Sequence, residues 1–430
     1  MMAFSLSLFM GAAASLCGRC GFQCCAALLL LGGLMPAPLA AQAEPEESVY
    51  LLEDEAFTEA VREAIELMYN QQPEASRSRL APWLDEQPDH PLVHFWDGLE
   101  LWWYILSDLE NDAYDEAFIG HLELANRSAD RMLRKDREHF DALVMKSLSN
   151  AFMARMYANR ESWYKAFRHG RIAFNLLQNT TREYPAISAD AAFGFGLYSY
   201  FTAYLQDEYR VVRAISWMLP AGDRELGLER LKEASEEGVF VQPEATYFLG
   251  HILLHYEEQP DRAETYLLRL REKYPGNSFF NRLLLRTFFR QERADEAAAL
   301  NEALIRRYQG LVDTAESAES SDSITEQARR NAQKSTLEEL YTIRGQLYYQ
   351  QFEYDEAINA FQEVLTLRQE LAGGAGRRHQ RITAYQLGRS YVRLGNPEAA
   401  IPYFEQLADS DHNDGLGELA KAELGRIREP

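Results

Sequence analysis

Apolar and small residues return at helical spacing along most of the chain, and toward its C-terminus they fall into a pattern with a longer period. In "LYTIRGQLYYQQFEYDEAINAFQEV", Gly345 is followed by Tyr348, Ala357 and Phe361; in "AYQLGRSYVRLGNPEAAIPYF", Gly388 is followed by Tyr391, Ala400 and Phe404. In both, the alanine follows the glycine by twelve residues and the aromatic comes four later. "ATYFLGHILLHYEEQPDRAETYLLRLREKYPGN" repeats the arrangement with Gly250, Ala263 and Leu267, and Ala297 lies 34 residues after Ala263. Small residues on facing helices let an antiparallel pair approach closely, and aromatics fill the space between neighbouring pairs. Loop residues such as Asn396 and Asp295 break the chain between helices. The pattern predicts stacked helical hairpins without strands.

Earlier segments keep the rhythm with weaker marks. "FTEAVREAIELMYNQQPEASRSRLAPWL" reads as two helices split at Gln72-Pro73, and "AYDEAF" places Ala117 where "EYDEAI" places Ala357. "WYKAFRHGRIAFNLL" puts Ala166, Gly170 and Ala173 on one helical face. Between 191 and 238, one helix carries Gly194, Gly196, Tyr200 and Tyr204, and a second starts at Gly222-Asp223 with Gly227, Leu231 and Ala234 at its packing sites. The expectation is an all-α solenoid of about eight antiparallel hairpins between Glu55 and Ser410, ended by a capping helix near Gly415–Arg428. Four divisions follow: a leader over 1–43, a degenerate array over 44–310, a polar linker or loop over 311–335 centred on "TAESAESSDSITEQ", and C-terminal repeats with the cap over 336–430. An apolar insertion at 207–221 reads as an extra helix plugging the superhelix, or as a segment that contacts a partner or membrane, and "AGGAGRRHQ" lengthens the last spacing by nine residues.

The motifs of 242–309 and 336–410 resemble the tetratricopeptide repeat (TPR) family. The resemblance implies a superhelix whose concave face, lined by the first helix of each pair, binds a protein or peptide segment. Carried onto this chain, the groove positions are Tyr247, His251, Leu254 and His255 in the unit of Gly250. They are Thr342, Gln346, Tyr349 and Gln350 in the unit of Gly345, and Tyr385, Arg389, Val392 and Arg393 in that of Gly388. The peptide-binding candidates are therefore Tyr247, His251, His255, Tyr349, Tyr385, Arg389 and Arg393. The Lys and Asn set of the family's carboxylate-clamp subclass is missing. Arg389 and Arg393 could grip an acidic side chain, or pair with Glu353 or Asp355 of the neighbouring unit. The segment 191–238 also resembles, more weakly, a eukaryotic helical-repeat family of inclusion-body clearance proteins and bacterial TPR proteins; it brings no chemistry with it.

Charge and cysteine usage narrow the setting. The chain of 430 residues carries a formal charge of −22, which argues against nucleic acid and anionic membrane surfaces as partners. Its four cysteines, Cys17, Cys20, Cys24 and Cys25, sit before an apolar run too short to span a bilayer, and Ala41-Gln42-Ala43 has the small-x-small form of a leader cleavage site. Cleavage after Ala43 would leave a cysteine-free, periplasmic or secreted chain without a transmembrane span. His251 and His255 have the spacing of two metal ligands on one helix face, with no evident third. No catalytic motif and no cofactor fingerprint is present, so no enzyme activity, metal or cofactor is expected. The expected role is a protein-binding scaffold of the cell envelope; the alternative is a structural subunit permanently assembled into an envelope complex.

Overall fold

The computed structural model describes residues 50–208, 222–317, 323–369, 377–409 and 415–428. The expected leader and all but two residues of the 207–221 insertion lie outside them. The described residues are α-helical apart from turns and two short 3-10 segments, with no strand among them. The helices pair as α1 (Glu55–Tyr69) with α2 (Pro73–Leu84), α3 (Pro91–Ser107) with α4 (Asp115–Lys135), and α5 (Phe140–Asn159) with α6 (Trp163–Glu183). Next come α7 (Ser188–Glu208) with α8 (Arg224–Glu237), α9 (Gln242–His255) with α10 (Pro260–Lys273), and α11 (Ser278–Arg290) with α12 (Ala294–Ser317). The array ends with α13 (Ile324–Gln350) on α14 (Tyr354–Gln369), α15 (Arg377–Arg393) on α16 (Pro397–Ala408), and α17 (Leu416–Arg428) capping the last pair.

The glycine–aromatic spacing works as a steric lock. A Cβ on Gly345 would lie 2.5 Å from the Phe361 ring, one on Gly388 2.8 Å from the Phe404 ring, and one on Gly250 2.9 Å from Leu267. Gly98 faces Leu122 in the same way, which shifts the register expected for "AYDEAF": Phe118 and Leu122 are the buried packing residues of α4, and Ala117 is only partly covered. At seven residues, 108–114, the α3–α4 connection is longer than the three- or four-residue turns of most pairs, so matching the motif by its letters alone misplaces it by one residue.

Six hairpins turn on one backbone device. Gln71, Glu161, Glu258, Glu292, Phe352 and Gly395 all have positive φ, from 54° to 87°, two residues before the second helix of the pair. In five of them the left-handed residue donates its N–H three residues back, as Phe352 does to the Tyr349 carbonyl at 3.2 Å. The next residue donates five back, as Glu353 does to the Tyr348 carbonyl at 2.9 Å. This closes the last turn of the first helix and reverses the chain.

The stretch expected as a linker over 311–335 is mostly helix. α12 runs on to Ser317, and α13 starts at Ile324, where the Ser323 hydroxyl accepts from the Glu326 N–H at 3.2 Å. Glu326 pairs with Arg329 and Arg330 one turn on, while Ala328, Ala332 and Ser335 form a buried stripe. That stripe belongs to the face of α13 that packs on α3, with Ser335 Oγ 3.4 Å from the Ser107 carbonyl and Asn331 donating to the Tyr114 hydroxyl at 2.5 Å.

This contact closes the array on itself. α1 and α3 dock on α10–α13 through an aromatic seam. The Tyr69 ring sits 4.9 Å from Trp103, 5.4 Å from Tyr274 and 5.7 Å from Phe280, all buried. Polar ties fix the register. Fully buried Asn277 caps α11 by accepting from the Phe280 N–H and donates to the Tyr69 carbonyl at 2.9 Å, and the Tyr308 hydroxyl donates to Gln71 Oε1 at 2.7 Å. On the other wall, buried Asp141 accepts from the N–H groups of Leu51 and Leu52 and holds the start of the chain on α5.

Two outcomes follow. Asn277→Ala removes a helix cap and orphans a buried carbonyl, and should cost roughly 2–4 kcal/mol. Hydrogen exchange should then show Glu66–Gln72 and Gly276–Leu283 losing protection together; loss on one side alone would mean the seam does not couple the two ends. Gly388→Ala presses a methyl into Phe404 and should cost about 1–3 kcal/mol. Because Ala384, Ala400, Phe404, Leu407, Ala420 and Leu424 form a core of their own, the loss of protection should stay within 377–428. Equal loss along the whole chain would count against a modular array.

Candidate functional site

With α1 and α3 docked on α10–α13, the concave face deepens into a lumen that stays partly open to solvent. A cavity of about 2360 Å³ is lined by the first helix of seven successive pairs, α1 through α13, with α6 completing one side. Aromatic and aliphatic side chains dominate its wall, including Phe95, Phe152, Phe174, Leu197, Phe201 and Phe248.

The expected groove residues divide between this lumen and a surface beyond it. Tyr247, His251 and His255, on consecutive turns of α9, line the lumen. The Tyr247 ring lies 4.7 Å from Phe279 and 5.8 Å from His251, and the two imidazoles are 4.7 Å apart. Burial, then the neighbouring cations Arg286, Arg155 and Arg290, push His251 down to about 3 and His255 to about 4, so both are neutral across the physiological range. Leu254, expected on the same face, is instead buried in the core, as is Thr342, whose hydroxyl bonds the Glu338 carbonyl.

Tyr349, Tyr385, Arg389 and Arg393 lie together outside the lumen, on α13 and α15. The Arg389 guanidinium sits 4.9 Å from the Tyr349 ring centre and 5.8 Å from that of Tyr385. Exposed Arg393 lies beside the Tyr349 hydroxyl. Neither arginine makes an ion pair with Glu353 or Asp355 among the described residues; tyrosine faces take that place. Next to them stands a residue sequence reasoning passed over. Phe352 is 77% exposed, packs edge-on to Tyr354 at 6.4 Å, and occupies the left-handed turn position at φ 65°. Tyr354 in turn meets Tyr349 at 5.4 Å, so the surface from Phe352 to Arg389 is one continuous aromatic–arginine patch. A run of aromatics between two helical motifs was the available signal, masked by the assumption that all of them fill hairpin gaps.

Sequence reasoning also missed Arg155 and Glu244. Arg155, on α5, lines the lumen with its guanidinium between the rings of Trp102, at 4.9 Å, and Phe248, at 5.0 Å. Burial lowers it to about 10, which leaves it charged. Burial pushes Glu244, at the start of α9, up to about 8. Among the described residues no group of three or more His, Cys, Asp or Glu is placed to hold a metal ion, and no helix is long and apolar enough to cross a membrane.

Comparison with known proteins bears on the same helices. Tetratricopeptide repeat families match residues 252–311 and 336–411. Among solved structures, the chain is similar to one in the crystal structure of the APC/C hetero-tetramer Cut9-Hcn1, at 13% identity and a TM-score of 0.24, covering 88% of this chain and 92% of that one. It is also similar to yeast Tom70, at 11% identity and a TM-score of 0.23, covering 86% of this chain and 96% of that one. A search of the curated proteins returned no match. Over residues 252–311 and 336–411, which hold the glycine–aromatic locks of Gly345 and Gly388, the chain is similar to the tetratricopeptide repeat family.

Proposed function

We propose that this chain is a non-enzymatic protein-interaction scaffold of the cell envelope, and that it engages a protein segment through the patch of Phe352, Tyr354, Tyr349, Tyr385, Arg389 and Arg393. The observation that carries the reading is Phe352. A bulky side chain in the left-handed region costs on the order of 1–2 kcal/mol relative to glycine, and here it also exposes a large apolar surface. The equivalent turn before α16 uses Gly395. A phenylalanine held there brings no packing gain, because it is mostly in water. Beside it, arginines stacked on tyrosines supply the anchor types that dominate protein–protein contacts. The tetratricopeptide repeats, whose domains bind protein partners, support the coarser reading. The leader-like 1–43 segment and the absence of cysteine after residue 25 support the envelope setting.

Phe352→Gly separates a structural from a binding role. Relief of the turn should leave stability unchanged or raise it by up to about 1 kcal/mol, while partners captured by the parent chain should be lost. Reversing Arg389 and Arg393 to Glu should lose the same partners. A captured protein retained equally by both variants would place the contact elsewhere. Expressed with its own leader, the chain should be recovered without about its first 43 residues; a mass spectrum retaining Cys17 would overturn the envelope assignment.

A further inference from the structure

The lumen has a chemistry that the surface patch does not share. On one side, Arg155 projects from α5 between Trp102 and Phe248, and no carboxylate among the described residues pairs with it. Arg286 and Arg290 approach from α11 and face the imidazoles of His251 and His255, where His251 Nδ1 and His255 Nε2 are buried without a hydrogen-bond partner. Every charged group acting on the two histidines is a cation. The nearest acid on α13, Glu339, is already shared between Arg282 and Arg286. The cavity wall carries acids elsewhere, among them Glu53, Glu183 and Asp190, so its cationic character is local to the stretch of Arg155, Arg286 and Arg290. Much of the remaining wall is apolar, with Phe152, Phe174, Leu197 and Phe201 supplied by α5, α6 and α7.

We propose that the lumen binds a small amphiphile whose single anionic head, a carboxylate, is held by Arg155 with the His251–His255 pair donating to it, and whose long apolar chain lies against the phenylalanine and leucine wall. Charge complementarity selects the head. A guanidinium partly withdrawn from water without a counter-ion is costly, and a carboxylate is its bidentate match. The neutral imidazoles add donors without adding a competing acid. The chain is selected by the wall, since a cavity lined mainly by apolar side chains gains free energy in proportion to the apolar area it removes from water. The site is separate from the Phe352–Arg393 patch, so either can fail without the other.

Hexadecanoate, hexadecanol and acetate, each titrated against the full mature chain by calorimetry and native mass spectrometry, divide the contributions. Hexadecanoate should bind with one molecule per chain; hexadecanol, with the same chain and no charge, at least tenfold more weakly; acetate not measurably. Arg155→Met keeps the packing between Trp102 and Phe248 and should bring hexadecanoate down to the affinity of hexadecanol. Ala151→Trp fills lumen space one turn from Arg155 and should weaken both long-chain ligands while leaving far-ultraviolet circular dichroism unchanged. Equal binding of acid and alcohol, full affinity in Arg155→Met, or no uptake of hexadecanoate by the folded parent would each overturn the proposal.

Discussion

Tyr69 and Asn277 hold together two parts of the chain more than two hundred residues apart, and most of what this array can do depends on that contact. A repeat array whose units touch only their neighbours presents an open concave face. Here the Tyr69 ring, wedged among Trp103, Tyr274 and Phe280, joins the first hairpin to the sixth, and the carbonyl of the same tyrosine is satisfied by Asn277. Aromatic contacts of this kind contribute about 0.5–1.5 kcal/mol each beyond the area they bury, and the buried carbonyl would be costly to leave unpaired. The concave face becomes a deep, partly open cavity, and its lining must be read as a cavity wall.

That one constraint explains why a single stripe of expected groove residues splits into two chemistries. Tyr247, His251 and His255 sit within the closed part, where burial silences the imidazoles. Tyr349, Tyr385, Arg389 and Arg393 belong to units beyond the seam, where the array again behaves as an open surface and Arg389 rests on half-buried tyrosine faces. The last unit has its own small core and hangs from the closed body by α14–α15 packing. The lumen and the surface patch therefore share no side chain.

The hairpins were legible because their determinants are local. Gly345 with Phe361 and Gly388 with Phe404 lie sixteen residues apart, and the steric reason for each pair can be read from the letters. The left-handed turns were half legible: Gly395 announces one, but Gln71, Glu161, Glu258, Glu292 and Phe352 adopt the same conformation without the residue that favours it. The start of α13 was misread because "SITEQARRNAQKS" is polar. Its small-residue stripe has meaning only once α3 is known to lie against it. Arg155 left no mark at all. In "NAFMARMYANR" it resembles any arginine on a solvated helix face, and its burial arises from a closure encoded some hundred and twenty residues later.

The same burial acts on the lumen's two kinds of base with opposite functional results. Desolvation disfavours the charged form of every cation, and its size here is enough to take His251 to about 3 and His255 to about 4. A histidine at position 155 would be neutralised in the same way. Arginine starts high enough that a fall to about 10 leaves its charge intact near neutrality. Its delocalised cation is also weakly hydrated and has flat faces that Trp102 and Phe248 cover, so part of the lost hydration is replaced by ring contacts. The edge of the guanidinium, where its N–H donors point, is the part that stacked rings cannot satisfy. An aromatic sandwich around an arginine thus secures the charge while leaving its in-plane donors to a planar anion, and the lumen places an apolar wall where the remainder of such a molecule would lie.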